Sequence, residues 1–155
     1  MQAHNIVIRG VFVAASIAMS SAAHASLGGL HQSVALDQSQ MHANRQTTTG
    51  QLFTTERLTL ENGAHVTEYV NRDDVVFAVT WHGPAMPDLQ QLLGSYAQRA
   101  YDGAKAFRAA HSAIGPVVVS ASDLVVQTGG HMRAYWGRAW LPNAVPASLN
   151  VQDIQ

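Results

Sequence analysis

Val75 to Leu93, VVFAVTWHGPAMPDLQQLL, is the stretch on which the fold turns. Val75, Phe77, Val79 and Trp81 alternate, the period-2 signature of a strand with one buried face. Pro84 and Pro87 end that strand. Asp88 is placed to cap a helix, with Gln91 three residues on as its capping-box partner. Leu89, Leu92, Leu93 and Tyr96 follow at helical spacing, and the stripe continues through Ala100, Ala104, Phe107 and Ala110 or His111 to Gly115-Pro116. The sequence here specifies a helix laid back on a sheet. Gly103 falls on the packed stripe, where a small residue allows close approach to the sheet or else kinks the helix.

Working outward, Asn62-Gly63 separates Gln51–Leu60 from Ala64–Val70 and is a strong hairpin signal. A two-residue turn sets Leu60 opposite His65, Leu58 opposite Thr67, Arg57 opposite Glu68 and Glu56 opposite Tyr69. Glu56 and Glu68 then project to opposite faces and cannot share a glycosidase-like site. A four-residue turn at Asn71–Asp74 puts Phe77 on the Val66 and Val70 side, whereas a turn of odd length would put it with Leu58, Leu60 and Tyr69. Beyond the helix, Val117 to Thr128 returns as a strand bulged near Ser122-Asp123. Gly129-Gly130 makes a second tight hairpin, and His131 to Leu141 is the last strand. The expected fold is α+β: an antiparallel meander of about five strands in the order β-β-β-α-β-β, with one long helix packed on one face, spanning residues 51–142.

The flanks are of different composition. Met1–Arg9 is a short n-region, Gly10–Met19 is apolar, and Ala23-His24-Ala25 is a small-x-small cleavage site, so residues 1–25 are expected to be a cleavable signal peptide. Ten helical residues span only about 15 Å, half of a ~30 Å hydrocarbon core, which argues against a membrane anchor. Residues 26–50 are a polar lead-in in which Ser33–Ala43 forms either a short helix with Val34, Leu36 and Met41 inward or an ordered coil, and Gln46–Gly50 reads as linker. After Pro142 and Pro146 the chain ends in a polar tail, 143–155. The 155-residue chain has no cysteine, so disulfides, thiolate chemistry and Cys-ligated metals are excluded. Charged residues are 12% of it, about half the usual share. Loss of Arg9 with the leader leaves eight basic against ten acidic residues and no basic stripe, which argues against nucleic acid and anionic membranes.

The chain resembles an uncharacterised family of exported proteobacterial proteins, domain of unknown function 2844. The resemblance is carried by Leu27-Gly28-Gly29, by WHGPAMPDLQQLLG (Trp81–Gly94), by Gly129-Gly130-His131-Met132-Arg133 and by Gly137-Arg138-Ala139-Trp140-Leu141-Pro142. It implies export from a Gram-negative cell, periplasmic or secreted. It implies no activity, and no catalytic role is carried over.

Chemistry has few candidates. His31, His42, His65, His82, His111 and His131 form no compact ligand pattern, so no metal or other cofactor is expected. His82 and His131 sit at strand ends, and with Asp88 they would act as acid and base if folding gathered them. No nucleophile elbow is present, and Asp73-Asp74 read as solvated turn formers. The last strand carries Met132, Trp136, Arg138 and Trp140 on one side. Its two tryptophans lie about 13 Å apart, at roughly 3.3 Å per residue, a stacking platform for a sugar or peptide with Arg138 as an anion contact. Asp123 reaches Arg138 diagonally in the two-glycine register. The reading favoured over that platform is that one face packs under the helix and Trp136 and Trp140 are core, since large aromatics in small domains are usually buried. The expected function is a non-catalytic binding or assembly module for a protein or glycan partner in the cell envelope, with a small hydrolase or metal-binding enzyme using His82, Asp88 and His131 as the alternative. Expressed in a Gram-negative host, the exported product is expected to begin at Ser26. An intact mass that retains the apolar Gly10–Met19 run would overturn the cleavage assignment.

Overall fold

The structure is a computed structural model that describes residues 27–111 and 115–154; the expected leader lies outside the described residues. It is an α+β fold built on one seven-stranded antiparallel sheet. The chain begins with a short turn of helix, His31–Ser33, running into α1 (Val34–Gln40). Four strands follow as a meander: β1 (Asn44–Thr49), β2 (Thr54–Thr59), β3 (His65–Val70) and β4 (Val76–Gly83). Helices α2 (Leu89–Leu93) and α3 (Ala97–Ala110) then lead to β5 (Val117–Ser120), β6 (Val125–His131) and β7 (Ala134–Trp140). The strand order across the sheet is β1-β2-β3-β4-β7-β6-β5, so the second set of hairpins returns to lie against β4.

Seven strands replace the expected five for two reasons. The polar stretch NRQTTT, placed in the lead-in by its composition, pairs as edge strand β1 against β2. The expected bulge at Ser122-Asp123 is a full turn, closed by the Ala121 N–H donating to the Leu124 carbonyl at 2.8 Å, and it divides one strand into β5 and β6. The single long helix is also divided. Gly94 adopts φ +51, a backbone that favours glycine, and a short helical turn at Gly94–Tyr96 joins α2 to α3. Asp88 does cap α2, its Oδ1 accepting from the backbone N–H groups of Gln90 (2.8 Å) and Gln91 (3.1 Å). The Gln91 side chain does not return the bond; it donates to Asp37 instead. Gly103 serves close approach, since a Cβ there would stand 2.5 Å from Val119 Cγ1. Beyond Ala100 the stripe is only half-buried or exposed, and Phe107 stacks on His111 at 4.2 Å.

The register differs from expectation by one residue at the first hairpin. Leu60 and Ala64 close a three-residue loop, Glu61-Asn62-Gly63, through a 2.9 Å backbone bond, with Gly63 at φ +81. Glu56 therefore faces Glu68, and Arg57 faces Thr67. The next loop is also of three residues, Arg72-Asp73-Asp74, and the pairing shifts between Tyr69 and Val70. Phe77 consequently lies with Tyr69 rather than with Val66 and Val70. The Gly129-Gly130 pair is not a turn: both glycines lie in β6, opposite Trp136 and Tyr135, and the turn is Met132-Arg133. Gly129 is needed where it is because a Cβ there would lie 2.8 Å from Trp136 Cζ2. Asp123 is thereby carried away from Arg138 and forms a forked ion pair with Arg99, at 2.8 and 2.5 Å.

Both faces of the sheet are covered. Val79, Trp81, Val66, Leu58, Val126 and Ala139 meet Val34, Leu92, Leu93, Ala97 and Ala100 on what is here termed the helix face. On α1 the inward residues are Val34 and Asp37, while Leu36, expected inward, is 46% exposed. The expected polar tail covers the opposite face. Two short helical turns, Pro142–Ala144 and Val151–Asp153, bring Ile154 down onto Phe77, Tyr69, Ala78 and Trp140, with Val145, Leu149 and Val151 around it. Ile154 is 2% exposed. Among the described residues no helix is long and apolar enough to cross a membrane. Ile154→Ala is expected to lower unfolding stability by about 2–4 kcal/mol, measured by urea denaturation. A change within ~0.5 kcal/mol, the range of surface substitutions, would show that the tail is not part of the core.

Candidate functional site

The tail covers only part of its face, and the part left open holds most of the polar and aromatic side chains singled out above. The register puts Arg57, His65, Thr80, His82, Gln127, Trp136 and Arg138 on this side. His65 pairs with His82, His82 with Trp136, Thr80 with Arg138, and Arg138 with Gln127. The His65 and His82 rings stack at 4.9 Å, and His65 Nδ1 lies 3.2 Å from Thr59 Oγ1. Burial, then the His65 and Arg57 charges, hold the His82 pKa below its ordinary value of 6.5, so its ring is neutral at pH 7. Trp136 lies across Gly129 and remains 41% exposed. A shallow cavity of about 270 Å³ is bounded by Thr80, His82, Gln127, Trp136, Arg138 and Ile154. At its floor Thr80 Oγ1 is buried and has no hydrogen-bond partner among the described residues.

Arg138 is already engaged. Its Nε donates to Gln127 Oε1 (2.8 Å), one terminal nitrogen to the Val151 and Ile154 carbonyls (3.3 and 3.5 Å) and the other to Gln152 Oε1 (3.2 Å). The guanidinium also lies 5.5 Å from the centre of the Trp140 ring. It fastens the tail to the sheet, and Trp140 beneath is core, 7% exposed. Met132 stands at the hairpin tip, 81% exposed. Of the four last-strand residues, Met132 and Trp136 face outward, and Arg138 and Trp140 hold the tail.

His82, Asp88 and His131 are not brought together. Asp88 caps α2 on the helix face, while His82 stacks on His65 across the sheet. His131 lies two strands over from His82 and two residues further along, a separation of roughly 12 Å at about 4.8 Å per strand and 3.3 Å per residue. No cluster of three or more His, Asp or Glu side chains among the described residues is placed to hold a metal ion.

The one-residue change of register brings Glu56 and Glu68, set on opposite faces by the expected two-residue turn, onto one face. Glu56 and Glu68 are cross-strand neighbours on the helix face, and both are fully buried, as is Asp37 from α1 above them. Glu56 is well satisfied. Arg45 donates to both its oxygens at 2.7 Å, Thr47 Oγ1 donates at 2.7 Å, and His31 Nε2 lies at 2.6 Å. Burial raises its pKa, but the Arg45, His31 and Thr47 hydrogen bonds outweigh burial and bring it down to about 2. Glu68 has the opposite environment. Burial, the Asp37 charge, a hydrogen bond with Asp37 and the Glu56 charge push it well above the ordinary carboxylate range, against a smaller pull from Arg45. Neither Glu68 oxygen has a donor among the described residues, and with Asp37 and Glu56 buried beside it the dry site favours a single proton shared between the Glu68 and Asp37 carboxyls. Gln91 Nε2 donates to Asp37 Oδ1 at 2.7 Å and steadies the pair. The sequence signal for this cluster was the Glu-Asn-Gly loop, whose three-residue form sets which acids share a face.

The fold and these sites define a single-sheet α+β domain with one polar shelf and one buried carboxyl cluster. The chain belongs to the family described as Protein of unknown function (DUF2844), whose model matches residues 23–154. No curated protein and no solved structure matches it.

The cluster gives stability a definite pH dependence. The lowered Glu56 contributes stability above its ordinary value of 4.5 that is lost as pH falls toward 2. The raised Glu68 works the other way: its contribution is full below 4.5 and is lost as pH rises toward its folded value. Stability from the cluster therefore peaks near 4.5. Glu68→Gln is expected to remove the fall on the alkaline side, read as a urea midpoint that changes less than wild type between about pH 5 and about pH 9. Parallel midpoint curves for the two proteins would contradict the shared proton.

Proposed function

We propose that the chain is an exported, non-catalytic binding module whose open shelf beside the tail takes a neutral glycan of the cell envelope. The observation that carries this reading is the half-exposed Trp136 ring on one cavity with a buried Thr80 hydroxyl that has no partner among the described residues. A sugar ring offers an apolar face to an aromatic plane and hydroxyls at its edge, and this pairing of one flat ring with nearby hydrogen-bonding groups answers both. Thr80, the neutral His82 and Gln127 supply donors and acceptors, and Met132 extends the apolar edge at the hairpin tip. Arg138 is bound to the tail and Gln127, which favours an uncharged ligand over an anionic one. Export is supported by the leader-like composition of residues 1–25 and by the family resemblance.

Titration with neutral hexose and N-acetylhexosamine oligosaccharides, followed by tryptophan fluorescence and calorimetry, tests the proposal. Trp136→Ala is expected to weaken binding at least about tenfold, equivalent to ~1.4 kcal/mol. Thr80→Val is expected to weaken it several-fold without lowering stability. Tyr101→Ala, at an exposed aromatic on α3 away from the shelf, is the control and should bind as wild type. Undiminished binding by the Trp136 variant would remove the shelf from consideration.

A further inference from the structure

The segment carrying the shared proton has the build of a clasp. His31–Gln40 lies on the sheet between two residues in the left-handed backbone region, Gly28 at φ +86 before it and His42 at φ +49 after it. Its first attachment is the His31 backbone N–H, which donates to the Asp74 carbonyl at 2.9 Å, and three side chains add to it. Val34 is fully buried in the helix-face core. His31 touches Glu56 at 2.6 Å and Asp74 at 3.5 Å. Asp37 meets Glu68 from β3 and Gln91 from α2.

The charged groups around Asp37 and Glu68 decide what happens when the proton leaves. Glu56 on β2 adds a negative charge beside Glu68. Arg45 on β1 is the cation facing the cluster, and it donates to both oxygens of Glu56. His31 is likewise turned to Glu56 and Asp74. From α2 comes only the neutral Gln91 amide. Loss of the proton would leave Asp37, Glu68 and Glu56 as three anions in a dry site with one guanidinium between them, and buried like charges of this kind are strongly disfavoured. Glu68 is fixed in the middle of the sheet and cannot retreat. Asp37 is on a seven-residue helix outside the strand ladder, so it is the partner that can withdraw.

The geometry points to a proton-gated clasp: the His31–Gln40 segment stays docked on the sheet while Asp37 and Glu68 share a proton, and lifts away as a unit when that proton is lost, uncovering the apolar floor beneath Val34. The opened form keeps the seven-stranded sheet, because β1 through β7 pair without α1. The device makes the helix face of the protein responsive to the alkalinity of its surroundings, independently of any ligand on the shelf.

Amide hydrogen exchange of the full chain, read by mass spectrometry at about pH 6 and about pH 9 and corrected for the intrinsic hydroxide dependence, tests the clasp. One released proton allows the opening constant to rise by up to about tenfold per pH unit. Peptides covering 34–41 are expected to lose protection by at least about tenfold between the two conditions, while those of β3 and β4 keep theirs. Glu68→Gln, and independently Asp37→Asn, are expected to hold the 34–41 protection at both pH values. Loss of protection in 34–41 that tracks β3 and β4 would mean global unfolding and overturn the clasp. So would a pH-dependent loss unchanged in both variants.

Discussion

Val76 to Trp81 is a run in which every residue is buried, and a strand can be buried on both sides only if cover is supplied on both. That requirement organises the rest of the molecule. One side is met by α1, α2 and the start of α3. The other is met by the last dozen residues, which return as two short helical turns to place Ile154 against Phe77 and Trp140. The sheet order follows as well. With β3 on one flank of β4, the other flank exposes unpaired N–H and C=O groups, and β7 comes back from the far edge to pair with it from Ala78–Trp140 to Gly83–Tyr135.

Much of this was legible, and what was legible was local. Asp88 and the leucines after it announce a capped helix because cap and stripe lie within five residues of each other. Gly103 on the packed stripe allows either close approach or a kink, and Val119 against it settles on the first. Trp136 shows as an aromatic on a strand. What failed to show were features decided by partners distant in sequence. NRQTTT has no apolar period because an edge strand exposed on both sides needs none; its strand character comes from β2. The tail's Val145, Leu149, Val151 and Ile154 follow neither a 2.0 nor a 3.6 spacing, since they converge from turns and not along one element. Arg138 read as an anion contact because its true partners, the Val151 and Ile154 carbonyls, belong to that same unreadable segment.

The buried acids were illegible for a sharper reason. In a sheet, parity decides facing, and parity between two strands is set by the number of residues in the loop joining them. Asn62-Gly63 supports either a two-residue turn or the last two positions of a three-residue loop with glycine in the left-handed region. The first separates Glu56 from Glu68; the second stacks them in the dry interior. Gly63 at φ +81 takes the second, and the entire electrostatic character of the helix face follows from that one additional residue.

The chain's scarce charges are accordingly spent inward and at joints. Arg45 answers Glu56, Arg138 fastens the tail, and Arg99 ties α3 to the β5–β6 turn through Asp123. A composition with 12% charged residues that uses three of its arginines in this way has few left to cover an exposed sheet face with charge. The open shelf is therefore furnished mainly with Thr, His, Gln and Trp, groups that hydrogen-bond or stack without imposing a sign. The two faces of one sheet thus come to differ in kind: buried carboxyls lie under α1, while histidines, Trp136, Arg57 and Arg138 stand beside the tail. The shelf and the carboxyl cluster lie on opposite faces of the sheet, with β3 and β4 between them.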